Sequence, residues 1–266
     1  MARVASRDHV QSGINEVYFR SCEDMSPVVD ASVDLAVASP PFTNHPDGET
    51  LDKIDYLDFL GRTFGECHAK IRPGGVLVTV NTDLRDHARY NRGDRRFEGC
   101  VWDKHSAIRR LCEDLGFTCI DTKIWAKTLS RDCFRYTFSY IQFFAKPGGP
   151  VPSVRANTVS SDFGADVWLL ERGTKRERPG EKVFRDAIHP EIVERCVARF
   201  TKPGDLVLSP FTGSGTVPAV AHVMGRHWAA FEINPLLGSL ISRSIYGPDR
   251  PRVYSALEAK YLAPAM

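Results

Sequence analysis

The sequence predicts an α/β protein, with a mostly parallel sheet that ends in an antiparallel hairpin and carries helices on both faces. Three observations predict it. Short apolar runs such as Val33-Asp34-Leu35-Ala36-Val37-Ala38 have the length and bulk of strands covered on both sides. Between such runs lie stretches with helical spacing, for example Leu57, Leu60, Phe64 and Cys67 on one face. Near the end, residues 205–234 read as strand, glycine turn, helix, strand.

Taken in order, a strand over 33–38 leads into a loop at 43–54 and an amphipathic helix near 56–70, in which Tyr56 and Phe59 read as packing positions. Pro73-Gly74-Gly75 turns the chain into a strand at 76–81, and Asp83 lies just past it, placed to cap a turn. A charged stretch precedes a helix near 103–115, stopped by Gly116. Residues 117–125 and 134–145 alternate as half-buried strands and predict an antiparallel pair. A polar segment punctuated by proline and glycine covers 147–188. Pro190 opens a helix to Phe200, because proline is preorganised for a first helical turn. A strand at 206–208, a helix over 216–224 stopped by Gly225, and a strand at 228–234 complete the order.

At 266 residues this fits a single domain spanning 1–266. The 42% hydrophobic content supplies one core, and a net charge of +2 permits a nucleic-acid partner without arguing for one. No apolar run approaches the roughly 20 residues that span a bilayer, and the first residues lack the apolar stretch of a signal peptide. The seven cysteines are scattered without a Cys-x-x-Cys pair, and the eight histidines do not group with them. That spacing argues against zinc and suits reduced thiols in a cytoplasm. No metal is expected.

Two motifs carry chemistry. Ser39-Pro40-Pro41-Phe42 follows the first strand directly. Proline fixes φ and has no N–H, so the turn is stiff and presents carbonyls without competing donors. An exocyclic amino group on a planar base offers two N–H donors, which the Ser39 hydroxyl and the Pro40 carbonyl can accept, while Phe42 covers the ring. The competing reading is an ordinary polyproline loop.

The second motif is Phe211-Thr212-Gly213-Ser214-Gly215-Thr216, with Glu232 at 17 positions after Gly215. Glycines let a backbone approach a ligand, and a carboxylate can hold ribose hydroxyls. A dinucleotide fingerprint needs a third glycine where Pro218 stands, and a P-loop needs a lysine that is absent. The pattern suits a nucleoside cofactor without pyrophosphate. Gly-x-Gly taken alone also suits any tight strand-to-helix turn. Both motifs sit at carboxyl ends of predicted strands, where ligands of such sheets collect, so one cleft can hold both.

These residues, in this order, resemble the β class of S-adenosylmethionine-dependent DNA amino-methyltransferases. The resemblance runs over roughly 15–245 and includes Glu16-Val-Tyr-Phe-Arg, Arg72-Pro-Gly-Gly, Gly116-Phe117 to Lys146, Asp166-Val-Trp168 and His189-Pro190. It implies a Rossmann-like methyltransferase sheet and S-adenosylmethionine as cofactor. It makes Ser39, Pro40, Pro41 and Phe42 catalytic. Phe211, Thr212, Gly213, Ser214, Gly215, Thr216, Glu232 and Asn234 become cofactor contacts, joined by His189 and Asp166. Residues 147–188 fall where the family has its target-recognition segment, short here. The partner implied is double-stranded DNA, with a homodimer and a cognate restriction endonuclease as further expectations. Two departures stand out: Ser209 where the family most often has Asp, and Ser21-Cys22 in place of a frequent Gly-Asp.

Two basic clusters offer phosphate contacts: Arg85, Arg89, Arg92, Arg95 and Arg96, and Arg172, Lys175, Arg176, Arg178, Lys182 and Arg185. Interleaved acids such as Asp94, Glu98, Glu177 and Glu181 make solvated faces the competing reading. Methylation at carbon 5 of cytosine is excluded, since the cysteine nucleophile typical of that chemistry follows proline and no Pro-Cys dipeptide occurs. Cytosine N4 is the expected target, because Ser-Pro-Pro more often accompanies N4-cytosine members of the family. Adenine N6 is the alternative. A catalytically inactive nucleic-acid-binding fold, suggested by Ser209, is the reading from another class.

Overall fold

A computed structural model of the protein describes residues 14–41, 53–85, 101–127, 137–151, 161–170 and 187–247. Chain order is β1 (Glu16–Tyr18), β2 (Val33–Ala38), α1 (Lys53–Lys70), β3 (Ile71–Asn81), β4 (Leu84–Arg85), β5 (Val101–Trp102) and α2 (Lys104–Asp114). It continues through β6 (Thr118–Ala126), β7 (Phe138–Ala145), β8 (Val167–Leu169), α3 (Pro190–Phe200), β9 (Leu206–Ser209), α4 (Thr216–Val223), β10 (His227–Phe231) and α5 (Gly238–Tyr246). Among the described residues, eight strands form one sheet in the order β1-β10-β9-β2-β3-β7-β6-β8. β7 runs antiparallel to both neighbours, and the other pairings in that sheet are parallel. This is the mostly parallel α/β sheet that the sequence predicts, hairpin included.

β2 is buried along its whole length because it lies between two hydrophobic layers. Leu35 and Val37 face a core built with α3, α4 and α5. Ala36 and Ala38 face a second core built with α1 and α2, which Val33 joins across the register shift between Val33 and Leu35. Alternate residues of a strand point to opposite faces, so a strand covered twice needs an unbroken apolar run. Asp34 interrupts that run and is buried with a specific task. Its carboxylate accepts from Arg72 Nε at 2.6 Å and from the Leu206 amide at 2.9 Å, tying β2, β3 and β9 together at their amino ends.

Three elements differ from the sequence reading. β3 starts at Ile71 and runs through Pro73-Gly74-Gly75 rather than starting after it. Gly74 has φ +78°, and a Cβ there would lie 2.4 Å from the Pro150 carbonyl oxygen, so the close approach of a neighbouring chain segment selects glycine. β10 ends at Phe231, which leaves Glu232 and Asn234 beyond the strand. The 147–188 segment is not irregular throughout: β8 lies within it and pairs with β6, driven by Trp168, whose buried ring packs on Phe143 and Phe163. No helix among the described residues is long and apolar enough to cross a membrane.

Candidate active site

Successive connections lead from β9 through β10 toward β1 on one side, and from β2 through β3 toward β7 on the other. The winding reverses between β2 and β9, which are hydrogen-bonded neighbours (Leu35 beside Val207, Ala36 beside Leu208). A crevice opens outside the carboxyl ends of strands at such a switch point. Ser39 is the residue after β2, and the Phe211 turn is the residue run after β9. The two motifs, far apart in the chain, therefore emerge side by side.

The β9 turn is held by its own backbone and by Glu232. The Thr212 amide donates to the Phe231 carbonyl at 3.0 Å, docking the turn on the end of β10. Glu232 accepts from the Gly213 amide at 2.8 Å with one carboxylate oxygen and from the Asn234 amide at 2.9 Å with the other. Those two bonds fix the carboxylate at the lip between both loops and leave it lone pairs for a ligand's hydroxyls. Gly215 caps α4 with φ +83°, and a Cβ there would lie 3.1 Å from Ile241 Cα. The Ser244 hydroxyl of α5 donates to the Ser214 carbonyl at 2.7 Å, and Ser214 and Thr216 hydroxyls meet at 3.2 Å. Ser209 is buried, and its hydroxyl lies 3.4 Å from Thr212 Oγ1, so it supports the turn. Asn234 accepts from the Leu236 amide at 3.0 Å and starts the 3-10 turn beyond Glu232.

At the β2 end, Ser39 is half-buried, Pro40 buried and Pro41 exposed. Phe42 lies outside the described residues, as do Arg92, Arg95, Arg96, Lys175, Arg176 and Arg178. α1 bridges the motifs. Its buried Tyr56 donates a hydrogen bond to the Pro41 carbonyl at 2.8 Å, and its Phe59 ring lies 6.0 Å from that of Phe211. Sequence reasoning treats both aromatics as packing, because a helical face does not disclose that a hydroxyl at its edge reaches a loop carbonyl.

Beside them stands a polar cluster of which sequence reasoning names Asp83 alone, as a turn cap. Asp83 accepts from the His105 amide at 3.0 Å and lies 2.9 Å from His105 Nδ1, while the imidazole stacks on Tyr140 with centroids 3.7 Å apart. Lys104 is buried over the Tyr56 ring at 4.9 Å, and burial pushes its amine down to about 7 against the opposing pull of Asp83. Asp83, Asp103 and His105 bring possible metal-ligand atoms within 4.8 Å of one another. Asp103 is engaged in capping α2 through the Ser106 amide and Asp83 in holding the His105 amide, so the trio reads as a helix-end anchor.

The two other residues expected at the cofactor lie just before β8 and α3. Asp166 precedes β8 at the far edge of the sheet, five strands from β9, with its side chain 90% exposed and 3.7 Å from Lys123. It is not brought to the β9 turn. His189 is the N-cap of α3, and its Nδ1 accepts from the Glu191 amide at 3.2 Å. Burial lowers its pKa, which keeps the imidazole neutral so that Nδ1 has a lone pair to offer. The unfolded chain therefore binds a proton more readily, and the stability from this cap falls as pH drops below about 6.5. His189→Ala is expected to lower stability at neutral pH by about 1 kcal/mol and to flatten the melting-temperature decline between neutral and mildly acid pH. An unchanged pH profile in the variant would assign that decline elsewhere.

The model of the DNA methylase family, which covers N6- and N4-directed enzymes, matches residues 33–239, from the start of β2 into α5. The chain belongs to this family. Among curated relatives, the Type II methyltransferase M.BglII of Bacillus subtilis is 26% identical over 240 residues, 83% of this chain and 66% of the relative. M.BamHI of Bacillus amyloliquefaciens is 25% identical over 252 residues, 85% of this chain and 56% of the relative. The chain thus spans between half and two thirds of the length of these two relatives. Among solved structures, TTHA0409 of Thermus thermophilus, named as a candidate DNA modification methylase and solved with S-adenosyl-L-methionine, is 26% identical with a TM-score of 0.67. That match covers 87% of this chain and 96% of TTHA0409. The cytosine-N4-specific PvuII DNA methyltransferase shares the fold, with 17% identity, a TM-score of 0.71 and coverage of 94% and 93%. The β9 turn and the Ser-Pro-Pro turn both fall inside the family match.

Proposed function

We propose that the chain is a DNA methyltransferase that uses S-adenosylmethionine to methylate the exocyclic N4 of a cytosine flipped out of the duplex. One observation carries the reading: the amino-accepting turn and the glycine turn emerge from hydrogen-bonded neighbours at the switch point of the sheet. The β9 turn fits the cofactor chemically. It offers an aromatic ring at Phe211 and a fixed carboxylate at Glu232, with no lysine or third glycine for a pyrophosphate.

When bound there, S-adenosylmethionine supplies a methyl group on a sulfonium, already a good electrophile. Glu232 would hold the ribose, and Phe211 and the backbone of the Gly213 turn would line the nucleoside. On the other side, Ser39 Oγ and the Pro40 carbonyl accept the two amino hydrogens. That steers the nitrogen away from conjugation with the ring and aims its lone pair at the methyl. As the new N–C bond forms the C–S bond breaks, the electron pair stays on sulfur, and the amino nitrogen releases a proton to water. Alignment of this kind can supply as much as about 7–11 kcal/mol, against a flipping cost of a few kcal/mol. No covalent enzyme intermediate is required. Burial pushes the thiols of Cys22, Cys67, Cys112 and Cys196 up, which makes them poor nucleophiles and supports direct displacement.

Cytosine is favoured over adenine because Ser-Pro-Pro more often accompanies N4-cytosine members of the family. The Ser39 hydroxyl, which can accept from an amino group or donate to the adjacent ring nitrogen, fits cytosine at least as well as adenine. Duplex DNA contacts fall to the arginine and lysine clusters around 92–96 and 175–178, with residues 147–188 reading the sequence. A second copy and a partner endonuclease complete the proposal. The test is transfer of labelled methyl to duplex DNA of mixed sequence, followed by digestion and mass measurement of the nucleosides. N4-methyldeoxycytidine is expected. N6-methyldeoxyadenosine alone would move the target to adenine, and cofactor binding without transfer to any nucleic acid would leave only a binding fold.

Glu232→Gln keeps the shape of the side chain and removes its charge and one acceptor oxygen. It is expected to weaken cofactor affinity by about tenfold, the equivalent of one charge-assisted bond. Calorimetric titration with S-adenosylmethionine checks this, and unaltered affinity would remove Glu232 from the cofactor site.

A further inference from the structure

We propose that Tyr56 is a positioning residue of the methyl-accepting turn, and that its hydroxyl fixes the one backbone torsion the two prolines leave open. The inference rests on the function proposed above.

Proline rings lock φ at Pro40 and Pro41. A following proline confines ψ of Ser39 and ψ of Pro40 to extended values. Between Ser39 and Phe42 the remaining soft angle is ψ of Pro41, which sets the direction of its carbonyl and the course of the chain into Phe42. Tyr56 Oη donates to that carbonyl at 2.8 Å. The bond therefore closes the last degree of freedom of the turn. Pro41 is exposed, so without the tyrosine its carbonyl would be satisfied by water in many orientations.

Tyr56 is suited to this task because it cannot move. Its ring is 1% exposed, lies under the Lys104 amine at 4.9 Å, and meets Trp102 edge-on with centroids 5.6 Å apart. Those neighbours belong to the start of α2 and to β5, and the Asp83–His105 contacts anchor that helix start to the end of β3. The turn that accepts the base is thereby referenced to the rigid sheet through a side chain rather than through its own loop. Phe59, one turn of α1 further on, lies against Phe211, so one helix sets both turns in a common frame.

A side chain that only packed would be replaceable by phenylalanine at little cost, since the ring and its contacts are retained. A positioning hydroxyl would not. Tyr56→Phe is expected to lower kcat on unmethylated duplex DNA of mixed sequence by roughly three- to tenfold, the range of one neutral hydrogen bond. The S-adenosylmethionine Kd, the KM for DNA and the melting temperature are expected to stay at wild-type values. A wild-type kcat in the variant overturns the proposal. A fall in kcat that comes with lowered melting temperature and weakened cofactor binding overturns it too, because it would assign Tyr56 to packing. Absence of transfer by the wild-type chain itself strikes the function proposed above and is read before any variant.

Discussion

Replacing Ser39 by alanine is expected to remove most methyl transfer while leaving S-adenosylmethionine binding and the fold intact. Ser39 lies one residue past β2 and is half-buried, so losing its hydroxyl opens no cavity in either core. It also stands apart from the Gly213–Glu232 contacts that would hold the cofactor. What the change removes is one of two acceptors for the amino hydrogens, at the moment the nitrogen must give up conjugation with the ring. Loss of a preorganised contact to a reacting group costs about 10²–10³ in kcat in comparable cases. The lower end is expected here, because the Pro40 carbonyl remains. Single-turnover transfer of labelled methyl at saturating cofactor reads the effect, with calorimetry confirming cofactor affinity. Wild-type turnover in Ser39→Ala would remove the amino-group contact from the mechanism.

Gly215→Ala is expected to fail in the opposite way, losing the cofactor site and part of the stability together. Gly215 adopts φ +83°, where a Cβ costs about 1–2 kcal/mol. That Cβ would also sit 3.1 Å from Ile241 Cα, and α5 is backbone that cannot turn aside as a side chain can. Overpacking of this sort adds about 1–3 kcal/mol. The two terms together predict about 2–5 kcal/mol of destabilisation. The strain falls on the turn whose Gly213 amide fixes the Glu232 carboxylate, so cofactor affinity is expected to go with it. Thermal melts with and without S-adenosylmethionine would show a lowered midpoint and a smaller ligand-induced rise. A wild-type midpoint and affinity would mean that α5 yields more easily than its packing implies.

Much of the architecture is legible in the sequence because its signals are local. The β2 run and the helix from Pro190 to Phe200 match their predicted bounds, since burial on both faces and a proline at a helix start leave marks on neighbouring residues. The β6–β7 hairpin is legible from alternation, although Tyr140 and Phe144 find partners only in three dimensions. Misread features are those set by distant partners. β3 extends back over a proline and two glycines because its early residues pair with β2, and a turn signature cannot announce that. β8 is three residues long, too short for any period to register. Asp166 resembles a family position, yet its strand is recruited to the outer edge of the sheet by the buried Trp168. At the site, glycines and prolines disclose backbone shape. Tyr56, Asp83 and His105 act through single contacts across elements, which composition and spacing do not encode.

The adjacency of β2 and β9 also governs the order in which the fold can close. The Asp34 carboxylate meets the Leu206 amide across 172 positions of chain, and β1 pairs with β10, Glu16 beside Ala229. Pairings of such long range form late, after the entropy of closing the intervening chain has been met. During synthesis β2 emerges well before β9, and its β9 edge stays unmated until residues beyond 205 follow. A chain cut short before Phe231 would lose the end of β10 on which the β9 turn docks, and one cut before Leu206 would lose the strand that neighbours β2.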